Sequence, residues 1–263
     1  MFRDVWTKTL WDHRRALFGW AIGLMAVTVV YGAFYPYMVD PAYADLLETL
    51  PAGLTEAMGW EDFTSAEGYM GAAVFGVLGQ VLTVIMAVGL GAKMIAGDEE
   101  TGGIELLIAH PVSRTRAVAQ RAVSLALSML VAAAAVFVAV WGLSEPIDLG
   151  IPTASLAAAS AQMALLGLVF GALAVAIGGI RGRRGLVIGA TAAVAVLAYL
   201  ADTVAPMVEE IAWMEDLSPF DWYDPTTVLR EGLMVGDALL SLGVAVLLFV
   251  ISVLAFNRRD IGV

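Results

Sequence analysis

The stretch Thr153–Ile180, TASLAAASAQMALLGLVFGALAVAIGGI, runs for 28 residues without an ionisable side chain. A helix needs about 20 apolar residues to cross the hydrocarbon core of a bilayer, and this stretch exceeds that. Working outward, five more stretches have similar character: roughly Ala16–Met38, Tyr69–Ile95, Ala117–Leu143, Gly185–Ala201 (continuing to about Ala205) and Ala238–Phe256. One such stretch in isolation is compatible with a buried core helix. Six in one chain, almost free of charge, predict an all-α integral membrane protein with six transmembrane helices, organised as a single domain over residues 1–263.

Composition supports this reading. Of 263 residues, 60% are hydrophobic and 15% charged, against roughly 45–50% and about 25% in average globular chains. A soluble domain of this length could not bury so much apolar surface. The balance also excludes a disordered chain and a nucleic-acid binder with a basic surface. Cysteine is absent and the two histidines are His13 and His110, so disulfide, thiolate and His-cluster metal chemistry have no basis. At the N-terminus, basic Met1–Arg15 precedes the apolar run Ala16–Val39, and Ala42-Tyr43-Ala44 resembles a cleavage site. The run is longer than the 7–15 residues of a signal peptide's apolar region, so it predicts a retained span.

The net charge of −11 resolves once charges are sorted by loop. Six spans place both termini on one side. That side carries 13 of the 14 basic residues and 7 acids, a balance of +6; the other carries only Arg230 and 18 acids, a balance of −17. The positive-inside rule makes the basic side cytoplasmic. The cytoplasmic turn Arg181–Arg184 is tight, so spans four and five are antiparallel neighbours. Two long external segments, Val39–Gly68 and Asp202–Asp237, mix acids with Leu46, Leu47, Leu50, Trp60, Trp213 and Trp222 and are broken by Pro41, Pro51, Pro206, Pro219 and Pro225. They predict short external helices at the outer interface, between spans 1–2 and 5–6. The halves share no repeat, which weakens an inverted-repeat transporter.

The middles of the spans carry no ionisable group, so the chain offers no ion-coupling machinery. Glu209-Glu210 lacks the partner histidines that an intramembrane protease would require. No G-x-x-x-x-G-K-[ST] phosphate loop occurs; no catalytic residue, metal site or bound cofactor is expected in this chain. Gly167 and Gly171, with Ser160, Ala164, Ala174 and Gly178, form a small-residue face. Intrachain packing is the favoured use of that face over a dimer seam.

Between spans two and three lies Gly97–Arg116, GDEETGGIELLIAHPVSRTR. Acids at Asp98, Glu99 and Glu100 suit a helix start. Gly102 and Gly103 interrupt, Ile104–Ala109 predicts a short helix ended by Pro111, and Ser113 is placed to cap span three. Such a segment, tied to two spans, is suited to carry motion from a cytosolic partner.

This stretch resembles the signature of ABC-2 type transporter permeases, roughly E-x-x-G-T-x-E-L-L-x-x-x-P-[VIL]-[ST]-R. Glu99, Gly102, Glu105, Leu106, Leu107, Pro111, Val112, Ser113 and Arg114 match; Gly103 stands where Thr is usual, and His110 replaces a more common Leu or Thr. Ser218–Pro225 and Phe256–Asp260 are weaker echoes. The resemblance implies the membrane subunit of an ABC exporter in a prokaryotic cytoplasmic membrane, both termini inside. It implies a second permease, as a homodimer or with a close paralogue, and a separate cytosolic ABC ATPase that binds the ATP and Mg. It makes Asp98–Arg114 a coupling helix, with Asp98, Glu99, Glu100, Gly102, Gly103, Glu105, Leu106, Leu107, Pro111 and Arg114 as coupling residues. It also implies an N-terminal interfacial helix over 1–15, where Phe2, Trp6, Thr9, Leu10 and His13 share a face. In such permeases spans two and five line the path, which points to Phe75, Leu78, Val81, Leu82 and Tyr199 for hydrophobic or amphiphilic cargo. The alternative is a membrane anchor that recruits a cytosolic partner without moving cargo; a membrane hydrolase is a weaker third reading.

Overall fold

The computed structural model describes residues 5–39, 49, 51, 62–100 and 113–258. Six helices are long and apolar enough to cross a membrane: Val5–Met38, Ala66–Glu100, Arg114–Ser144, Thr153–Ile180, Arg184–Met207 and Val235–Arg258, here spans one to six. No strand occurs among the described residues. The helices extend beyond the expected apolar limits because polar residues at both ends keep helical backbone. At a rise of about 1.5 Å per residue, several are longer than the hydrocarbon core is thick. Alternation along the chain divides the bundle into a basic end, which holds the turns around residues 100, 113, 181 and 258, and an opposite acidic end.

Span four is the axis of the bundle. Its central stretch is 78% buried, against 22%, 17% and 22% in spans one, five and six. It packs against spans two, three, five and six, which an apolar helix without a polar face allows. The small-residue face serves this packing: a side chain on Gly167 would strike Thr83 and Met129, and one on Gly171 would strike Leu125. The stripe is therefore an intrachain seam.

Span two is not a uniform α-helix. Met70–Leu78 and Lys93–Gly97 are π-helical, and Gly76 leaves helical geometry at φ −74° and ψ −117°. Wide turns of this kind insert a residue and rotate everything beyond them relative to a regular helix. Phe75 lies wholly inside the core, and Val77, Val81 and Ile85 face outward.

The N-terminal region differs from expectation in one respect. Helix Val5–Gly32 is continuous through Arg15, so the expected interfacial helix does not form a separate element in the described residues. Its inward face is held by span three: Val5 N donates to Gln120 Oε1 at 2.5 Å, and Ser124 Oγ donates to the Trp6 carbonyl at 3.2 Å. Span three is its main partner, and span two also packs against it. Phe2 and most of Val39–Gly68 lie outside the described residues. Between spans five and six the expected short helices are present, as 3₁₀ segments Ala205–Met207 and Glu209–Leu217 and an α-helix Pro225–Glu231.

Candidate functional site

The basic end gathers the two stems of the connector between spans two and three. Residues 101–112, which include Gly102, Gly103, Glu105, Leu106, Leu107 and Pro111, lie outside the described residues. Asp98, Glu99, Glu100 and Arg114 lie within them. The three acids continue the helix of span two without a break.

Each of the three has a neighbour from another span. Asp98 Oδ2 accepts from Arg121 Nη2 at 2.6 Å, and that guanidinium, from span three, is only 2% exposed. His13 and Lys8 of span one and Lys93 of span two also act on the Asp98 carboxylate. Glu100 Oε1 accepts from the Arg184 backbone N–H at 2.9 Å, capping the first turn of span five. The Glu99 carboxylate sits against Gly182, where any side chain would overlap it. Glu100 thus supplies negative charge to the electropositive start of a neighbouring helix.

The second stem mirrors the first. Ser113 Oγ accepts from Arg116 N at 3.2 Å, capping span three as expected. Arg114 Nη1 donates to the Phe256 carbonyl of span six at 3.2 Å. Its guanidinium also lies over the Phe256 ring, and Asn257 Nδ2 donates to Thr115 Oγ1 at 3.1 Å. The stems therefore tie spans two and three to spans five and six. Arg121 was legible from sequence only as one more basic residue; its position two turns inside span three was the available signal.

The second feature is an apolar groove of about 530 Å³ between spans two and five, lined by Val81, Ile85, Ile188, Val196, Tyr199 and Leu200 among others. Of the residues expected along a path, Tyr199 lines this groove and Val81 joins it. Leu78 lines a neighbouring cavity of about 590 Å³ beside Tyr31, Phe34 and Tyr199. Leu82 packs half-buried against the core. Phe75 is wholly buried and faces the core of the chain.

Above the groove, at the acidic end, a cavity of about 300 Å³ is lined by Gly76, Gln80, Tyr199, Asp202, Glu215 and Thr226. Helix Pro225–Glu231 contributes Pro225 and Thr226 to its wall, and Thr226 approaches Gly71 so closely that a side chain there would collide with the Thr226 hydroxyl. Arg230 pairs with Asp62, joining this helix to the start of span two. Asp221 is pushed up to about 6 by burial and then by Glu215, Asp216, Asp237 and Asp224. The buried Tyr223 hydroxyl is pushed well above its usual range, mainly by desolvation.

Six helices long and apolar enough to cross a bilayer define a multi-pass membrane protein. A model of the family described as ABC-2 family transporter protein matches residues 4–261. The chain belongs to the ABC-2 transporter family, as a membrane transport component. No curated protein matches it.

Proposed function

We propose that the chain is the permease subunit of an ATP-driven ABC exporter, moving hydrophobic or amphiphilic cargo outward. Energy comes from a separate cytosolic ABC ATPase that binds ATP and Mg. The path lies where spans two and five meet a second permease, in a homodimer or with a close paralogue. Both termini face the cytoplasm of a prokaryotic inner membrane, an orientation supported by the +6 and −17 charge balances. The observation that carries the reading is the set of ties at the basic end. Asp98, Glu100 and Arg114 link the connector to spans three, five and six, as a part that receives force requires.

An apolar groove without ionisable lining favours apolar cargo over inorganic ions. Asp98, Glu99, Glu100, Gly102, Gly103, Glu105, Leu106, Leu107, Pro111 and Arg114 form the coupling set. Leu78, Leu82 and Tyr199 are the path residues retained from the sequence. The test is co-purification of the chain with its ATPase, followed by ATP-dependent movement of apolar compounds in sealed vesicles. Glu105→Lys, or Glu99→Lys with Glu100→Lys, is expected to detach or uncouple the ATPase. Unchanged binding and stimulated ATP turnover in these variants overturns the coupling assignment. Docking without ATP-dependent flux favours a recruiting anchor.

A further inference from the structure

Span five shares no covalent connection with the segment between spans two and three, yet that segment's first stem ends on it. The Glu100 carboxylate accepts the Arg184 N–H at 2.9 Å. This N–H belongs to the first turn of the helix, where backbone donors have no intrahelical acceptor. One residue earlier, the Glu99 carboxylate rests over Gly182 in the turn that separates spans four and five. Two consecutive acids of span two thus meet both sides of the entry to span five.

Span five is the least enclosed of the six, at 17% buried over its central stretch. Its residues Val196, Leu197 and Leu200 are exposed. The same helix forms one wall of the apolar groove through Ile188, Val196 and Tyr199, and span two forms the other through Val81 and Ile85. A helix with little packing of its own takes its position from contacts at its ends. The tie at Glu100 is therefore placed to fix where this wall stands relative to span two.

We infer that Glu100 is a positioning residue that makes span five follow the connector, so that displacement of residues 98–100 moves both walls of the groove together. This rests on the transport reading above and adds a driven element to it, beyond spans two and three. The role belongs to the acceptor oxygen and not to the negative charge alone, because the partner is a backbone N–H. Asp98 acts differently: its partner Arg121 lies in span three, adjacent along the chain. The second stem, through Arg114 and Phe256, reaches span six and leaves the groove untouched.

The chain has no cysteine, so spin labels can be placed without background. Nitroxides on Ile85→Cys and Val196→Cys report the separation of the groove walls by double electron–electron resonance in nanodiscs. Glu100→Ala is expected to shift or broaden that distance distribution, and Glu100→Gln, which keeps an acceptor oxygen, to leave it as in the parent. Arg114→Ala is expected to leave it unchanged. Hydrogen exchange at the Arg184 amide should rise about fivefold in Glu100→Ala, the effect of losing one ordinary hydrogen bond, and not in Glu100→Gln. An unchanged distribution in Glu100→Ala, or a Gln variant that behaves like the Ala variant, overturns the inference. In the complex with the ATPase, nucleotide should leave the separation of the two labels unchanged in the parent, where the walls move together, and change it in Glu100→Ala, where span two moves alone. Failure of nucleotide to change the separation in either protein counts against the transport reading, while the isolated chain still decides the role of Glu100.

Discussion

Arg121 of span three and Asp98 of span two meet at 2.6 Å, with the guanidinium 2% exposed and the carboxylate side chain 40% exposed. The pair is asymmetric: one member has left solvent almost entirely, while the other remains at the rim. Among the described residues Arg121 Nη1 has no hydrogen-bond partner, so Asp98 carries most of the compensation for burying that charge.

Removing Asp98 should therefore cost more than removing Arg121. Asp98→Ala leaves a buried cation without its acid and is expected to lower stability by about 3 kcal/mol. Arg121→Met removes the buried charge and fills the same volume; its loss should be about 1 kcal/mol or less. Denaturant titration in detergent micelles, run side by side, checks the order. Equal losses contradict it.

Two glycines in one turn of span two should respond in opposite ways. A Cβ on Gly91 would stand 2.5 Å from the Gly171 carbonyl oxygen and 2.9 Å from Ala174 Cβ, whereas one on Gly89 meets nothing within 4 Å. Gly91→Ala must push spans two and four apart and is expected to cost about 1–3 kcal/mol. Gly89→Ala should be neutral or stabilising by up to about 1 kcal/mol, the helix preference for Ala. Thermal unfolding of both variants is the measurement.

At the acidic end, Asp221 has its folded pKa raised to about 6, first by burial and then by surrounding carboxylates. The folded state thus binds the proton more tightly than the unfolded state does. Its contribution favours folding below about pH 4 and is lost as pH rises towards 6. Because the group remains largely solvated, the penalty at neutral pH is discounted to about 1 kcal/mol. Asp221→Asn should raise stability at pH 7 by that amount and flatten the profile between pH 4 and 6. A profile that keeps its slope in the variant rules out Asp221 as the source.

Arg230 is the single basic residue on the acidic side, and it pairs with Asp62 at a site where both side chains are 46% exposed. An exposed pair of this kind is worth about 0.2–1 kcal/mol. A double-mutant cycle with Asp62→Ala and Arg230→Ala should give a coupling in that range that shrinks in 1 M salt. A coupling of several kcal/mol, or one indifferent to salt, would show that the pair is shielded from solvent.

The spans, their order and the polarity of the bundle were readable because length, apolarity and charge distribution act locally. What lay beyond reach was rotation about each helix axis. Thr153–Ile180 is apolar on every side, so no pattern in it says which neighbour each residue meets. In span two, Phe75 and Val77 are equally apolar, yet one lies in the core and the other outside. Two residues apart on a helix, they face nearly opposite sides, and nothing in an apolar stretch says which side is the core. Tyr199 was legible as a groove residue through its span alone. Arg121 shows the same limit for charge: burial is set by span one and span two closing over it. The ties of Glu100 and Arg114 join residues 84 and 142 positions apart, which no spacing rule within a segment reveals.

The enclosure of span four has a consequence for how the molecule is made. Chains emerge and insert from the N-terminus, so span four enters the membrane before two of the helices that cover it exist. Its neighbour span six packs along it and supplies Ser252, whose hydroxyl donates to the Val175 carbonyl at 3.1 Å. Until Val235–Arg258 arrives, one side of span four, with Gly179 and its surroundings, stands open to lipid. Sealing of the bundle is therefore among the last events of biogenesis, and a ribosome that stalls before residue 235 leaves an incomplete bundle for membrane quality control.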